Sequence, residues 1–276
     1  MRWPHYEHVF FDCDSTLTAV EGIDVLAETT GKQAEIEHLT NLAMDGELDL
    51  EDIYAQRLQA INPTHAQIQQ IRSVYKRHAV EDAAAVIAAL QEMGHKIYII
   101  SGGLAEPVEE FGVYLGVPRE RIRAVGVQYN KLSGSWWQSR NPGEQYLAYQ
   151  KGALTVSDGK AQIVKELLGQ QHGRSLLIGD GNSDLLAGTA VDLFVGYGGV
   201  ISRQRVLAEA PVFIHSRSLT PLLPLATGPA ALKRLNNQTL AQKAVTLIRT
   251  GQLTFKNEQL EQKFREACET IYPQSV

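Results

Sequence analysis

The fold is constrained most by a series of short apolar segments that end in small or acidic residues. Four of these segments have the composition of strands, at 7–12, 96–100, 175–178 and 192–195. Helical periodicity lies between them, at 81–93, 104–115 and 159–169. Strands that alternate with helices pair in parallel through right-handed crossovers, because a parallel neighbour needs a long connection. The sequence therefore predicts an α/β protein with a doubly wound parallel sheet.

Three polar clusters follow three of the predicted strands. In such a sheet the carboxyl ends of the strands share one rim, where ligands bind. We therefore expect the clusters to meet at that rim: Asp12 with Asp14, Ser101-Gly102-Gly103, and Asp180 with Asp184.

Two regions fall outside the alternating pattern. Residues 19–79 read as an all-helical insertion with helices at 21–30, 32–44, 50–61 and 65–77, the last two capped by Asp49 and Thr64. Residues 229–276 carry two amphipathic helices, 240–248 and 260–271, for which packing on the core, a dimer contact and binding of another protein stay open. This organisation predicts a core of 1–18 and 80–228, a helical domain of 19–79 and a C-terminal helical extension of 229–276. Within the core, 121–128 is strand-like and 133–154, with Trp136 and Trp137, is predicted to form a hairpin or long loop.

The composition narrows the classes of partner. The net charge of -5 gives no basic surface of the kind that binds nucleic acid, so we expect no nucleic-acid partner. No apolar run is long enough to span a bilayer, and Met1–His5 lacks the apolar core of a signal peptide. The two cysteines, Cys13 and Cys268, are far apart and not in a metal-ligand spacing. We expect a cytoplasmic protein in which Cys13 is a packing residue.

The acidic pairs indicate a site for a hard cation. Asp12 and Asp14 lie two residues apart, so an extended chain would point both to the same side. Asp180 and Asp184 flank Gly181-Asn182-Ser183. Carboxylate ligands without a His/Cys set favour Mg²⁺ over zinc. The alternative for each pair is an Asp-rich turn that caps the next helix.

Two further features suit an anionic ligand. The hydroxyl of Ser101 and the backbone amides of Gly102 and Gly103, at a helix start, could bind phosphate oxygens, although a plain strand-to-helix turn gives the same pattern. Lys160 stands in the first turn of a helix that Ser157 or Asp158 would cap, where the helix dipole disfavours a cation. This position predicts an anionic neighbour for Lys160, the alternative being a solvated surface lysine.

Arg57 is the most informative residue of the helical insertion. It lies in an apolar stripe with Ile53, Tyr54 and Leu58, and no acid stands three or four residues away. A guanidinium in that setting needs a partner, and a substrate carboxylate would serve, unless the side chain extends to solvent. Glu21, at the first insertion helix, could complement the helix dipole or pair with an ammonium group.

These motifs, in this order, resemble the haloacid dehalogenase superfamily of aspartate-nucleophile phosphatases. The resemblance covers about residues 7–226 and rests on DCDST, SGG, a lysine at a helix start and GDGNSD. It implies a Rossmann-like core with a small four-helix cap inserted after the first strand. Within the superfamily, DCDSTLT followed by VEGIDVLA, the spacing of Met44 and Arg57, and FVGYGGVISRQRV resemble the phosphoserine phosphatases.

The resemblance implies a role for each motif residue. Asp12 would be the nucleophile, and Asp14 would protonate the leaving serine hydroxyl and then activate water. Mg²⁺ would be held by Asp12, the Asp14 carbonyl and Asp180, with support from Asp184. Ser101, Gly102 and Lys160 would hold the phosphoryl group, and Gly103 and Ser183 would also bind the substrate. Glu21 would meet the substrate ammonium, Arg57 its carboxylate, and Met44 would contact the substrate.

The expected reaction is hydrolysis of O-phospho-L-serine in serine biosynthesis. Two departures from the family, Asp45 before Gly46 and Leu50 in place of a common aromatic, leave the substrate less certain than the chemistry. The alternatives are another small phosphomonoester, such as a phosphosugar, or a phosphotransferase or phosphate-binding regulator. A homodimer also stays open.

Overall fold

The computed structural model describes residues 3–28, 31–44, 50–130 and 146–269, with the side chains of 35, 43, 44, 50–52 and 269 left aside. Nine strands are found in the described ranges: β1 His8–Phe11, β2 Lys96–Leu104, β3 Ile122–Val125, β4 Val127–Tyr129, β5 Tyr146–Tyr149, β6 Ser175–Gly179, β7 Leu193–Tyr197, β8 Val212–Ile214 and β9 Leu253–Phe255. The same ranges contain twelve α-helices: α1 Gly22–Glu28, α2 Gln33–Met44, α3 Leu50–Ile61, α4 His65–Arg77, α5 Ala83–Glu92, α6 Ala105–Tyr114, α7 Lys160–Leu168, α8 Asn182–Ala187, α9 Gln204–Glu209, α10 Leu222–Thr227, α11 Gln238–Arg249 and α12 Glu258–Glu269.

A seven-stranded sheet forms the core, in the order β3-β2-β1-β6-β7-β8-β9. All its neighbours are parallel except β8 and β9, which pair antiparallel. Every residue of β1 and of β6 is buried, as expected for central strands covered on both faces. The predicted α/β doubly wound fold is confirmed.

The direction of winding locates the rim where a ligand binds. From β1 the chain runs outward through β2 and β3, and it then returns to the other side of β1 to build β6, β7 and β8. The switch point therefore lies between β1 and β6, which are paired from His8 with Ser175 to Phe11 with Ile178. Asp12 and Asp180 follow these two strands directly.

The helical insertion comprises α1 to α4, between β1 and α5. The predicted cap of α4 is confirmed, because the Thr64 side chain and the Gln67 side chain form a reciprocal capping box. The predicted cap Asp49 lies outside the described residues. α4 packs along α6 of the core, where Glu110 accepts hydrogen bonds from Arg72 at 2.9 Å and Lys76 at 3.1 Å. This half of the insertion is thereby fixed to the core.

The segment predicted as one strand at 121–128 is two strands in different sheets. β3 pairs with β2 in the main sheet, whereas β4 pairs antiparallel with β5. The break falls at Gly126, where a Cβ atom would lie 2.4 Å from the Gln150 side chain. The hairpin expected within 133–154 is seen only as β5, and Trp136 and Trp137 lie outside the described residues.

The C-terminal region packs on the core and contains a strand that was not predicted. β9 extends the sheet beyond β8, and Phe264 of α12 is fully buried, with its ring centroid 4.8 Å from that of Trp3. Of the three open roles for the amphipathic helices, the structure supports core packing. None of the helices in the described ranges is long and apolar enough to cross a membrane.

Candidate active site

Three buried carboxylates meet at the switch point of the sheet. One oxygen each from Asp12, Asp180 and Asp184 lies within 4.8 Å of the other two, a spacing that suits a shared cation. Asp184, in the first turn of α8, reaches the others because Gly179 has no side chain; a Cβ atom there would lie 2.2 Å from the Asp184 Cγ. The structure brings together the two acidic pairs that the sequence predicted to meet.

Lys160 joins two of these carboxylates. Its Nζ atom lies 2.7 Å from Asp12 Oδ1 and 2.7 Å from Asp184 Oδ1, and the side chain is buried. Burial by itself would lower the pKa of Lys160, but the two carboxylates outweigh it and raise the pKa, so the side chain stays charged. The predicted anionic neighbour of Lys160 is confirmed.

The predicted cap of the Lys160 helix is wrong. Gly159, rather than Ser157 or Asp158, occupies the N-cap position of α7. The chain passes so close to a preceding turn here that a Cβ atom on Gly159 would lie 1.7 Å from the Ala153 carbonyl oxygen. Tertiary packing therefore selects glycine over a polar capping residue.

The balance of acidic and basic side chains at the site favours binding of a divalent cation. Asp180 accepts hydrogen bonds from Thr16 Oγ1 at 3.2 Å and from Arg203 Nε at 3.0 Å. Even so, burial raises the pKa values of Asp180 and Asp184 above their ordinary range. The site holds more carboxyl groups than basic side chains: Asp12, Asp14, Glu21, Asp180 and Asp184 against Arg57, Lys160 and Arg203. A bound cation would favour the ionised forms of the nearest carboxyl groups, and such oxygen ligands fit Mg²⁺.

Asp14 lies beside these carboxylates, with its own carboxyl group buried. Its Oδ2 atom accepts a hydrogen bond from the backbone N–H of Gly22 at 3.2 Å, which ties it to the start of α1. Its Oδ1 atom is buried and makes no hydrogen bond of good geometry among the described residues, although the Tyr75 hydroxyl lies close enough to lower the pKa of the carboxyl group. Burial of the carboxyl group, and secondarily the negative charge of Glu21, raise the pKa of Asp14. This favours the protonated form that can act as an acid.

The segment Ser101-Gly102-Gly103 lies on an irregular part of β2 rather than at a helix start. β2 continues to Leu104, and its register against β3 shifts between Ile100 and Leu104. The extra residues leave the ladder, so their polar groups can face the site instead. Within the segment, Gly103 N–H donates to Ser101 Oγ at 2.9 Å. The predicted position of this segment at the rim of the sheet is confirmed. Its residues belong to the irregular end of β2 and not, as predicted, to the start of a helix.

The predicted specificity residues lie on the insertion side of the site. Arg57 is buried, its Nη1 atom donates to Thr40 Oγ1 at 2.9 Å, and its Nε atom has no hydrogen-bond partner among the described residues. Glu21 is buried and accepts a hydrogen bond from Ser15 at 2.7 Å, with Arg203 Nη2 3.8 Å away. Arg57 therefore does not extend to solvent, and it forms no ion pair with the residues whose side chains are described, which leaves the predicted carboxylate contact available.

One cavity of about 50 Å³ connects the predicted residues. Nine of them line it: Asp12, Asp14, Glu21, Arg57, Ser101, Gly102, Gly103, Lys160 and Ser183. Asp180 and Asp184 do not line the cavity themselves. They are adjacent to residues that do, because Asp184 pairs with Lys160 and an Asp180 oxygen lies within 4.8 Å of one from Asp12. The side chain of Met44, the last residue of α2, lies outside the described residues, so its predicted contact stays a prediction.

Tyr54 and Arg203 are among the side chains of the site that were not predicted. Tyr54 lines the cavity, and Arg203 connects Asp180, Glu21 and Asn41 of α2. Tyr54 gave a signal, because a phenol in an apolar helical stripe needs a hydrogen-bond partner. For Arg203 the only local signal was its position shortly after a strand of the parallel sheet. Its partners are remote in sequence and could not be predicted from neighbouring residues.

Comparisons with known proteins agree with this arrangement. A sequence profile of haloacid dehalogenase-like hydrolases matches residues 9–188. The phosphoserine phosphatase of Mus musculus is 31% identical over 208 residues, 75% of this chain and 88% of the mouse protein. A chloroplastic phosphoserine phosphatase of Arabidopsis thaliana is 32% identical over 212 residues, 75% of this chain and 68% of that protein.

Solved structures share the fold over a similar length. A phosphoserine phosphohydrolase-like protein from Francisella tularensis has a TM-score of 0.65 at 27% identity, covering 76% of this chain and 95% of its own. A phospho-aspartyl intermediate analogue of phosphoserine phosphatase has a TM-score of 0.66 at 21% identity, covering 79% of this chain and 98% of its own, and at that identity it shows the fold alone. From the matched profile and these relatives, the chain belongs to the haloacid dehalogenase-like hydrolase family.

Proposed function

We propose that this protein is a Mg²⁺-dependent phosphatase that hydrolyses O-phospho-L-serine to L-serine and phosphate through a phosphorylated Asp12. The observation that carries the proposal is that one small cavity joins an acidic, lysine-containing end to an end with Arg57 and Glu21. Phosphoserine has matching groups, since its phosphate is separated from a carboxylate and an ammonium group. The names of the mouse and Arabidopsis relatives support the same substrate.

In the first step Asp12 acts as the nucleophile. Its carboxylate oxygen forms a bond to phosphorus while the bond from phosphorus to the serine oxygen breaks. Lys160, 2.7 Å from Asp12, reduces the repulsion between the carboxylate and the phosphoryl group. The Ser101 hydroxyl and the backbone N–H of Gly102 lie where they can hold the phosphoryl oxygens.

Asp14 carries the proton in both steps. In the first step it gives a proton to the departing serine oxygen. In the second it takes a proton from water, whose oxygen binds phosphorus as the Asp12–phosphorus bond breaks. The place of Asp14 on the cavity wall and its raised pKa support this role.

Asp12, Asp180 and Asp184 would hold Mg²⁺. The cation supplies positive charge that offsets the negative charge of the carboxylates and of the phosphoryl group. The Asp14 carbonyl stays a predicted fourth ligand. Arg203 and Thr16 hold the Asp180 carboxylate in place.

Arg57 and Glu21 would select the amino acid part of the substrate. The Arg57 Nε–H can donate to the carboxylate, while Glu21 can accept from the ammonium group. Residues 19–79 would then act as a cap domain that closes over the site and excludes water. The serine-synthesis role, a cytoplasmic location and a homodimer remain predictions.

The test is phosphate release from a panel of small phosphomonoesters, with and without Mg²⁺. We expect phosphoserine to give the highest kcat/KM and Asp12→Asn to abolish turnover. Preference for a phosphosugar would transfer the same chemistry to a different substrate. Turnover of phosphoserine no faster than that of a generic phosphomonoester contradicts the proposal.

A further inference from the structure

Tyr54 makes a direct hydrogen bond from the helical insertion to the core. It lies on α3, is buried, and lines the cavity. Its hydroxyl donates to the backbone carbonyl oxygen of Gly102 at 2.8 Å. Because Gly102 belongs to the predicted phosphate-binding segment, this bond connects the insertion to the phosphate end of the site.

The hydrogen bond falls on a peptide group that also orients Ser101. The carbonyl of Gly102 and the N–H of Gly103 belong to the same planar peptide and point in opposite directions. The N–H donates to Ser101 Oγ at 2.9 Å, and the carbonyl accepts from Tyr54. Both ends of the peptide are therefore held. Since Ser101 Oγ accepts here, its own hydrogen is available to donate to a phosphoryl oxygen.

The same tyrosine lies beside the carboxylate end of the site. Arg57 follows three residues later on α3, and its guanidinium carbon lies 5.7 Å from the centre of the Tyr54 ring. The ring of Tyr149 in β5 lies on Tyr54 as well, with 4.9 Å between centroids. Tyr54 thus contacts structures at both ends of the cavity.

The two halves of the insertion are attached to the core in different ways. Ion pairs from Arg72 and Lys76 to Glu110 hold α4 on α6. Within the described ranges, two side-chain hydrogen bonds join α2 and α3 to the core: Tyr54 to Gly102, and Arg203 to Asn41 at 3.2 Å. Loss of the Tyr54 bond should therefore affect the α2–α3 half.

We propose that Tyr54 is a positioning residue whose hydroxyl latches α3 onto the phosphate-binding segment and thereby places Arg57 for the substrate carboxylate. This inference rests on the proposed function and deepens it. The latch fixes the α2–α3 half over the site, whereas the Gly103 N–H keeps Ser101 oriented without it. A substrate that engages Arg57 gains from that closure, whereas a phosphate ester without a carboxylate gains little.

The kinetic test compares Tyr54→Phe with Tyr149→Phe. The first variant keeps the ring and removes the latching hydroxyl; the second is the matched control, because no hydrogen bond from the Tyr149 hydroxyl is found in the described part of the chain. For phosphoserine we expect Tyr54→Phe to raise KM about five- to tenfold, the range for one hydrogen bond, with kcat within about twofold. For p-nitrophenyl phosphate both constants should stay within about twofold. Tyr149→Phe should resemble the wild type with both substrates.

Two kinetic results would overturn the latch. One is an unchanged KM for phosphoserine in Tyr54→Phe. The other is an equal loss with both substrates, which would mean general damage to the phosphate end.

A structural measurement tests the latch without phosphoserine. Nitroxide labels at Gln59→Cys on α3 and Ala88→Cys on α5, both exposed positions, report the separation of insertion and core in a Cys268→Ser background. Pulsed electron paramagnetic resonance should show a several-fold larger population at long distance in Tyr54→Phe than in the wild type or Tyr149→Phe. Identical distance distributions would refute the latch. If wild-type protein does not hydrolyse phosphoserine, the proposed function fails and this measurement alone decides the latch.

Discussion

The carboxylate contact of Arg57 gives the sharpest prediction about substrate choice. The guanidinium is buried, one nitrogen is bound to Thr40, and Nε has no hydrogen-bond partner among the described residues. A hydrogen bond between charged groups contributes about 1.5–3 kcal/mol, which corresponds to a factor of about 10 to 150 in an equilibrium constant. We expect Arg57→Ala to lower kcat/KM for phosphoserine by that factor.

The assay compares phosphoserine with O-phosphoethanolamine, which keeps the phosphate and the ammonium group but has no carboxylate. Arg57→Ala should leave kcat/KM for phosphoethanolamine within about threefold of the wild type, because the lost contact is absent with that substrate. Arg57→Lys is the matched variant, because it keeps the positive charge without the planar fork. Its kcat/KM for phosphoserine should lie between those of the wild type and Arg57→Ala. An equal loss with both substrates would refute the carboxylate contact and would point to a structural role for Arg57.

Three further predictions concern the cation and the stability of the fold. Mg²⁺ should raise the melting temperature, because it neutralises buried carboxylates, and Asp180→Asn should reduce that rise in a thermal melt with and without EDTA. Phe264→Ala should lower the free energy of unfolding by about 3 kcal/mol in urea titrations, whereas exposed Leu147→Ala should change it by less than about 0.5 kcal/mol. Burial lowers the pKa of His95 to about 4, so the unfolded chain binds the extra proton below about pH 6.5 and stability falls as the pH drops from 6.5 to 4. Between pH 6.5 and pH 4, the free energy of unfolding of His95→Gln should fall by up to about 3 kcal/mol less than that of the wild type. An identical pH dependence of stability in the two proteins would contradict this assignment.

The sequence predicted the parts of the site whose signals are local. Acidic residues at the ends of predicted strands indicated that Asp12, Asp180 and Asp184 lie together. The unfavourable helix dipole at Lys160 predicted its anionic neighbours. The apolar stripe around Arg57 gave its burial. Each of these inferences needs only the residues within about one helical turn or one strand end.

Contacts between remote residues could not be predicted in the same way. Tyr54 finds Gly102 48 residues later, and Arg203 finds Asn41 162 residues earlier. β8 and β9 have three residues each, too few to show a period, and their pairing is decided by the packing of the C-terminal region. The split of 121–128 at Gly126 depends on two different partner strands, β2 and β5. Tertiary structure decides all of these features.

The central claim is that Asp12 becomes phosphorylated, and trapping that intermediate tests it most directly. Wild-type protein is mixed with Mg²⁺ and with phosphoserine that is radiolabelled on its phosphoryl group. The reaction is quenched in acid within milliseconds, and the protein is digested and its labelled peptides are mapped. We predict an acid-stable, hydroxylamine-sensitive label on the peptide that contains Asp12, and no label in Asp12→Asn. A label on another residue, or rapid turnover with no labelled protein at any quench time, would contradict the account.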